Sequence, residues 1–247
     1  MSGRLYRSVR AAGVVGAGPF LQPPSRRRPH AVTPLRKVLG DILQQRLLEA
    51  FVRSLWKDYE NASVRIDRVP MQDATPVAVS VDADRLWRTS ELLWEYRLAG
   101  VEPYEPVIVQ HSATSCRLLL PPIIESHGDG QTGAKAMYVL DGMHRLHNLH
   151  QRAVDHAMAL IIRSPHLPPP PARTPDSWSD VWLAEGGTVR GEARFCWLDE
   201  SLLRPVSEKV DRQEWELSTE RGKQAFPTEF RSLDDCAYRA KQILGRG

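Results

Sequence analysis

The chain has 247 residues, enough for one sizeable hydrophobic core or for a core and a smaller module. Its apolar fraction of 42% and charged fraction of 26% are those of a soluble globular protein, and a net charge of +3 is too small to imply nucleic acid by itself. No apolar run approaches the roughly 20 residues that span a bilayer, so a transmembrane helix is not expected.

Residues 1–34 are rich in Gly, Pro and Arg, and the first 40 residues hold eight basic side chains and no acid. This stretch reads as a disordered basic arm or an over-long start, although an Arg-rich, acid-free N-terminus is also the composition of an organelle transit peptide. From Leu35 the apolar residues recur at three- and four-residue steps through Leu39, Leu43, Leu47, Phe51 and Leu55. That spacing predicts one amphipathic helix reaching Trp56, within a helical extension over 35–74. Val77–Val81 predicts a short strand. Asp82 or Asp84 can cap the next helix, whose apolar face is Leu86, Leu92, Leu93, Tyr96 and Leu98 and whose stop is Gly100. Pro106–Val109 predicts a buried strand. Cys116–Ile124 and Ala136–Leu140 are apolar runs on either side of the Gly-rich stretch 126–133, which predicts a β-hairpin with a long loop. A helix is expected to open at Asp141-Gly142 and run through Leu146, Leu149 and Ala153, with a strand after it over Ala157–Ile162. Prolines at 165, 168–171 and 175 make a stiff linker over 165–175. Beyond it, residues 176–247 carry Trp178, Trp182, Trp197 and Trp215, end in a capped helix over Ser232–Leu244, and read as a small Trp-rich module. The elements over 75–164 predict an α+β domain.

The chemistry concentrates at Val139-Leu140-Asp141-Gly142-Met143-His144-Arg145. A strand delivers the chain to a turn at which Gly142 permits close backbone approach, and the helix that follows begins with unpaired N–H groups at the positive end of its dipole. Such a turn attracts anions. Arg145 can clamp a phosphate with two parallel hydrogen bonds, His144 can exchange a proton near neutral pH, and Asp141 can orient a hydroxyl, bind a metal beside phosphates or act as a base. On spacing alone the same residues also make a plain strand–turn–helix, with Asp141 as cap and Arg145 in a surface ion pair.

The run Val139–Leu149, followed by Ala153–Ile162, resembles the phosphate-binding motif and next strand of the ParB/sulfiredoxin superfamily. Val77–Val81, the helix near 86–99 and Pro106–Val109 resemble that family's opening strand, helix and second strand, so the resemblance covers 75–164. It implies a mixed sheet with helices and a nucleotide ligand. Sulfiredoxins carry a cysteine where Met143 stands, so their reductase chemistry is not implied. Chromosome-partitioning ParB proteins carry GERR, bind CTP and continue into a helix-turn-helix module. Here residues 176–247 hold 14 acids against 11 Lys and Arg, which disfavours a DNA face. The DGHHR branch, which includes free-serine kinases using ATP or ADP, is the most similar in motif. A DGQQR form occurs in restriction-type nucleases. The resemblance therefore implies Gly142, Met143, His144 and Arg145 as phosphate contacts, Asp141 and His144 as catalytic residues, and Mg2+ with ATP, ADP or CTP. The serine kinases use an earlier glutamate, for which Glu91, Glu102 and Glu105 are the candidates. The expected function is nucleotide binding with phosphoryl transfer to a small hydroxyl-bearing molecule. The alternatives are a non-catalytic nucleotide-dependent switch or DNA-associated adaptor using the basic arm, and a metal-dependent nuclease.

Other features carry competing readings. His144, His147 and His150 recur at three-residue steps, about 60° apart on a helix, so a pair could grip a metal but a triad spans a wide arc. His156 and His166 follow. Asp129 between two glycines is a faint calcium signal and reads as a solvated loop, and Lys135 at its base reads as a surface lysine. The C-terminal tryptophans read as core rather than as a stacking platform. Cys116, Cys196 and Cys236 form no CxxC pair or even framework, which fits small hydrophobes in a thiol-reducing cytoplasm.

Overall fold

In the computed structural model, residues 30–55, 59, 61–77, 80–128, 135–163, 177–184 and 228–245 are described. The chain runs through β1 (Ala31–Pro34), α1 (Leu35–Leu39), α2 (Asp41–Leu55), β2 (Ser63–Pro70), β3 (Ala74–Thr75), β4 (Ser80–Asp82) and α3 (Ala83–Leu98). It continues through β5 (Val107–Ser112), β6 (Ser115–Leu119), β7 (Ile123–Gly128), β8 (Lys135–Asp141), α4 (Met143–Gln151) and β9 (His156–Arg163), and then β10 (Trp182–Ala184), β11 (Glu229–Phe230) and α5 (Leu233–Leu244). The architecture is mixed α+β.

A five-stranded sheet in the order β2-β9-β7-β8-β3 forms the centre. β9 shows why its sequence lacks polar alternation. Ala157, Ala159 and Ile161 enter the core on one face, Leu160 and Ile162 enter the core on the other, and all five are buried. A strand covered on both faces must be apolar at every position. β2 pairs antiparallel with it over its whole length, from Ser63 opposite Arg163 to Pro70 opposite His156. β7 lies parallel on its other side, β8 antiparallel to β7, and β3 parallel to β8. Leu146 and Leu149 of α4 cover one face, and Leu48 and Val52 of α2 cover the other.

The second sheet, β1-β5-β6-β11, is antiparallel throughout. Its core joins Leu35, Leu39, Leu47, Ile108, Cys116 and Leu118 to Cys236 and Ala240 of α5. On its other side Tyr96 of α3 packs against Val107 and Val109. Leu47 faces one core and Leu48 the next, so α2 is the wall between the two sheets.

Several local expectations change. The helix from Leu35 breaks at Gly40, whose φ of 76° ends α1 before α2 begins, and Trp56 lies outside the described residues. Residues Ala31–Pro34, read as the end of an irregular arm, pair with Val107–Gln110 as β1. The stretch read as a helical extension also contains a strand, β2. The expected strand Val77–Val81 is instead β4, starting at Ser80, and Asp82 caps α3 by accepting from the Arg85 N–H. Cys116–Ile124 is not one arm of a hairpin. Pro121 and Pro122 divide it, Cys116 pairs with Gln110 in β6, and the long hairpin is β7 with β8. α4 stops at Gln151, with Ala153 at φ 51°.

Every described piece after the proline-rich stretch joins an element that precedes it. Trp178 is buried in the central core and its indole N–H donates to the Ala74 carbonyl at 2.8 Å. β10 pairs parallel with β4, and β11 pairs with β6.

Candidate functional site

Gly142 is the hinge between β8 and α4, at φ 96° and ψ 17°. A Cβ placed there would stand 2.8 Å from Pro122 Cβ. Conformation and space both require glycine. It offers no side chain to cap the helix, so the first-turn N–H groups of Met143, His144 and Arg145 are the donors without intrahelical partners, while Leu146 N–H already bonds the Gly142 carbonyl. The Met143 side chain packs against the central core, so only its backbone faces the turn.

Arg145 holds its own chain together. One terminal nitrogen donates to the Leu120 carbonyl and the other to Asp141 Oδ2 at 2.9 Å. The guanidinium carbon lies 5.9 Å from the centre of the Tyr104 ring, and the Tyr104 hydroxyl donates to the Arg145 carbonyl at 3.0 Å. The Arg145 side chain is 18% exposed and that of Asp141 is 59% exposed, so the pair is anchored at the arginine and free to move at the aspartate.

His144 Nε2 accepts from the Asp82 N–H at 3.0 Å, which leaves Nδ1 as the protonated nitrogen. Burial lowers its pKa, Arg85 adds to that, and Asp82 and Asp141 oppose it. The next two histidines diverge from it. His147 is buried beside Trp178, and burial, with His150 and His144 nearby, pushes its pKa down to about 4. His150 lies at the helix end beside Ser179. His156 accepts from Arg68 at Nδ1, which leaves Nε2 to donate to Glu102 at 3.1 Å. Among the described residues no group of three or more His, Cys, Asp or Glu is placed to hold a metal ion. Asp129, His166, Trp197, Trp215, Cys196 and the Lys135 side chain lie outside the described residues.

Of the candidate glutamates, Glu91 is half-buried on α3, Glu102 is on the rim with His156, and Glu105 is buried against Arg36 at 2.7 Å. None is hydrogen-bonded or ion-paired to Asp141, His144 or Arg145 among the described residues. Sequence reasoning passed over Glu125. It is fully buried on β7, where the Tyr59 hydroxyl donates to one oxygen and His127 Nε2 to the other, each at 2.7 Å. The available signal was a carboxylate inside the apolar run Ile123–Ser126, which a core tolerates only with partners. Cys116 and Cys236 are free and buried, and burial with Asp235 and Cys116 nearby pushes the Cys236 thiol up to about 12.

No family model, curated protein or solved structure matches the chain. Among the described residues no helix is long and apolar enough to cross a membrane.

Proposed function

We propose that the β8–α4 turn binds the phosphates of a nucleotide, within a domain of ParB/sulfiredoxin-like fold, and that the nucleotide gives a phosphoryl group to a small hydroxyl-bearing acceptor. The observation that carries this reading is the left-handed Gly142, which leaves the N–H groups of residues 143–145 uncapped at the positive end of a helix, with Arg145 beside them. In the free protein Asp141 stands where a phosphate oxygen would bind Arg145. Its exposed carboxylate swings away as a phosphate, a stronger bidentate partner, takes the guanidinium. The released Asp141 is then the carboxylate that receives the acceptor proton or, with the phosphates, holds a magnesium ion that neutralises their charge. His144 has its Nε2 engaged by Asp82 and offers Nδ1–H, so its part is to donate to a phosphate oxygen rather than to act as base.

The test is a thermal-shift and titration panel of ATP, ADP, CTP and GTP with magnesium, on the full chain and on Arg145→Ala. A ligand at about 100 times its dissociation constant adds roughly 2.7 kcal/mol of apparent stability. The alanine variant should lose most of it, because a charge-assisted pair contributes about 1.5–3 kcal/mol. Undiminished affinity in a folded Arg145→Ala variant overturns the phosphate assignment. One observation favours a second reading, a purely structural clasp: both terminal nitrogens of Arg145 already have partners within the chain. Silence of all four nucleotides on the unaltered protein would leave that reading standing. Binding without turnover would favour a nucleotide-dependent switch.

A further inference from the structure

A second polar centre lies on the far side of the loop that carries Tyr104. Glu105 is 4% exposed, and Arg36 Nε donates to its Oε1 at 2.7 Å. Its Oε2 has no hydrogen-bond partner among the described residues. The same is true of Oε1 of Gln44, which is 7% exposed. Both residues line one cavity of about 380 Å³, whose lining also includes the carboxylates Asp41 and Glu102 and the apolar side chains Ile66 and Met158. Buried acceptors without donors are costly and uncommon in folded proteins. A single water, with its share of about 30 Å³, does not fill such a space, which falls among the volumes of small-molecule sites.

The chemistry of a fitting ligand follows from the lining. Both orphaned atoms are acceptors, so the ligand supplies donors. Three carboxylates, Asp41, Glu102 and Glu105, face one guanidinium, Arg36, so the ligand is cationic. Glu102 is already shared with His156, which itself takes a hydrogen bond from Arg68, and Glu105 is paired with Arg36, so the carboxylate left uncompensated is that of Asp41. The apolar residues in the lining suit a short alkyl chain and do not suit a bare metal ion, which demands oxygen on six or more sides. We infer that this cavity binds a short aliphatic amine in its ammonium form, whose N–H groups bond Glu105 Oε2 and Gln44 Oε1 and whose alkyl chain lies on Ile66 and Met158.

Calorimetric titration of the full chain tests this with putrescine, butanediol of the same chain length, and magnesium chloride. Saturable binding of putrescine, with no binding of the diol, is expected. Glu105→Gln and Gln44→Leu should each weaken putrescine by roughly tenfold or more, the loss of a charge-assisted or buried hydrogen bond. Arg145→Ala should leave putrescine binding unchanged, which separates this site from the β8–α4 turn. The inference is overturned if putrescine fails to bind, if putrescine and butanediol bind alike, if magnesium chloride alone displaces putrescine, or if both folded variants retain full affinity. Should either variant fail to fold, the comparison of amine with diol on the unaltered chain still decides.

Discussion

The β8–α4 turn and the cavity beside α2 both gather charged side chains, and they treat them in opposite ways. At the turn every strong side-chain group has a partner in the chain: Arg145 has Asp141 and Leu120, and His144 has Asp82. The free valences there are backbone N–H groups, exposed by a glycine. At the cavity it is side chains that are unsatisfied, with one oxygen of Glu105 and one of Gln44 buried and unpaired. A motif read from sequence finds the first kind of centre because glycine, aspartate and arginine stand close together in the chain. The second kind is assembled from α2 and the loop before β5, and only the fold brings its parts together.

The sharpest way to break the contrast is at Asp141. Asp141→Asn keeps the size of the side chain and removes its charge and basicity. If the turn is catalytic, single-turnover phosphoryl transfer should fall by about 10²–10⁴ while nucleotide affinity changes little or rises, since a competitor for Arg145 has been weakened. Equal turnover in the two proteins would reduce Asp141 to a structural partner.

Gly142→Ala comes next. It forces an L-residue to φ 96° and drives a methyl to within 2.8 Å of Pro122, so urea unfolding should show a loss of about 2–5 kcal/mol. A loss below about 1 kcal/mol would mean that the turn relaxes freely, which would remove the rigid hinge from the argument.

His147 supplies a test by pH. The folded imidazole stays neutral down to about pH 4, whereas the unfolded one takes up its proton near 6.5. Between those values the unfolded chain binds more protons. The contribution is therefore whole above 6.5 and is lost as the pH falls toward 4, by up to about 1.4 kcal/mol per pH unit. His147→Leu should flatten that acid limb in urea midpoints measured across the window, and an unchanged slope would refute the assignment.

The smallest effect is expected at the cavity. Gln44→Leu replaces an amide whose oxygen is unpaired with an apolar group of similar size. Without ligand its stability should stay within about 1 kcal/mol of the parent, with a gain as readily as a loss. A cost of several kcal/mol would show that Gln44 is satisfied after all, and the two centres would then be alike.

These differences explain how much could be read in the chain beforehand. The α+β class, a capping aspartate at 82 or 84, the Gly142 turn and the Ala157–Ile162 strand follow from local patterning. Each depends on residues only a few positions apart. What escaped depended on partners far away. Periodicity carries through Gly40, and only the positive φ there shows that the helix must turn. Pro121-Pro122 divided an apolar run between two sheets. Asp141 was weighed as a helix cap, yet the cap position is Gly142, and Arg145 reaches back to Leu120 for its second bond. Glu125 is buried by Tyr59 and His127, one of them 66 positions away.

The core beneath the four-stranded sheet has a consequence for how the protein is made. Leu35 and Leu39 from α1 share it with Phe230, Cys236 and Ala240 near the other end of the chain. During synthesis α1 and α2 leave the ribosome long before β11 and α5 exist to cover them. Topology of this kind makes folding slow and leaves apolar surface waiting for its partner. Nascent chains and products truncated before β11 should therefore be sticky, chaperone-dependent species, and α5 is the piece whose arrival covers the core that α1 leaves open.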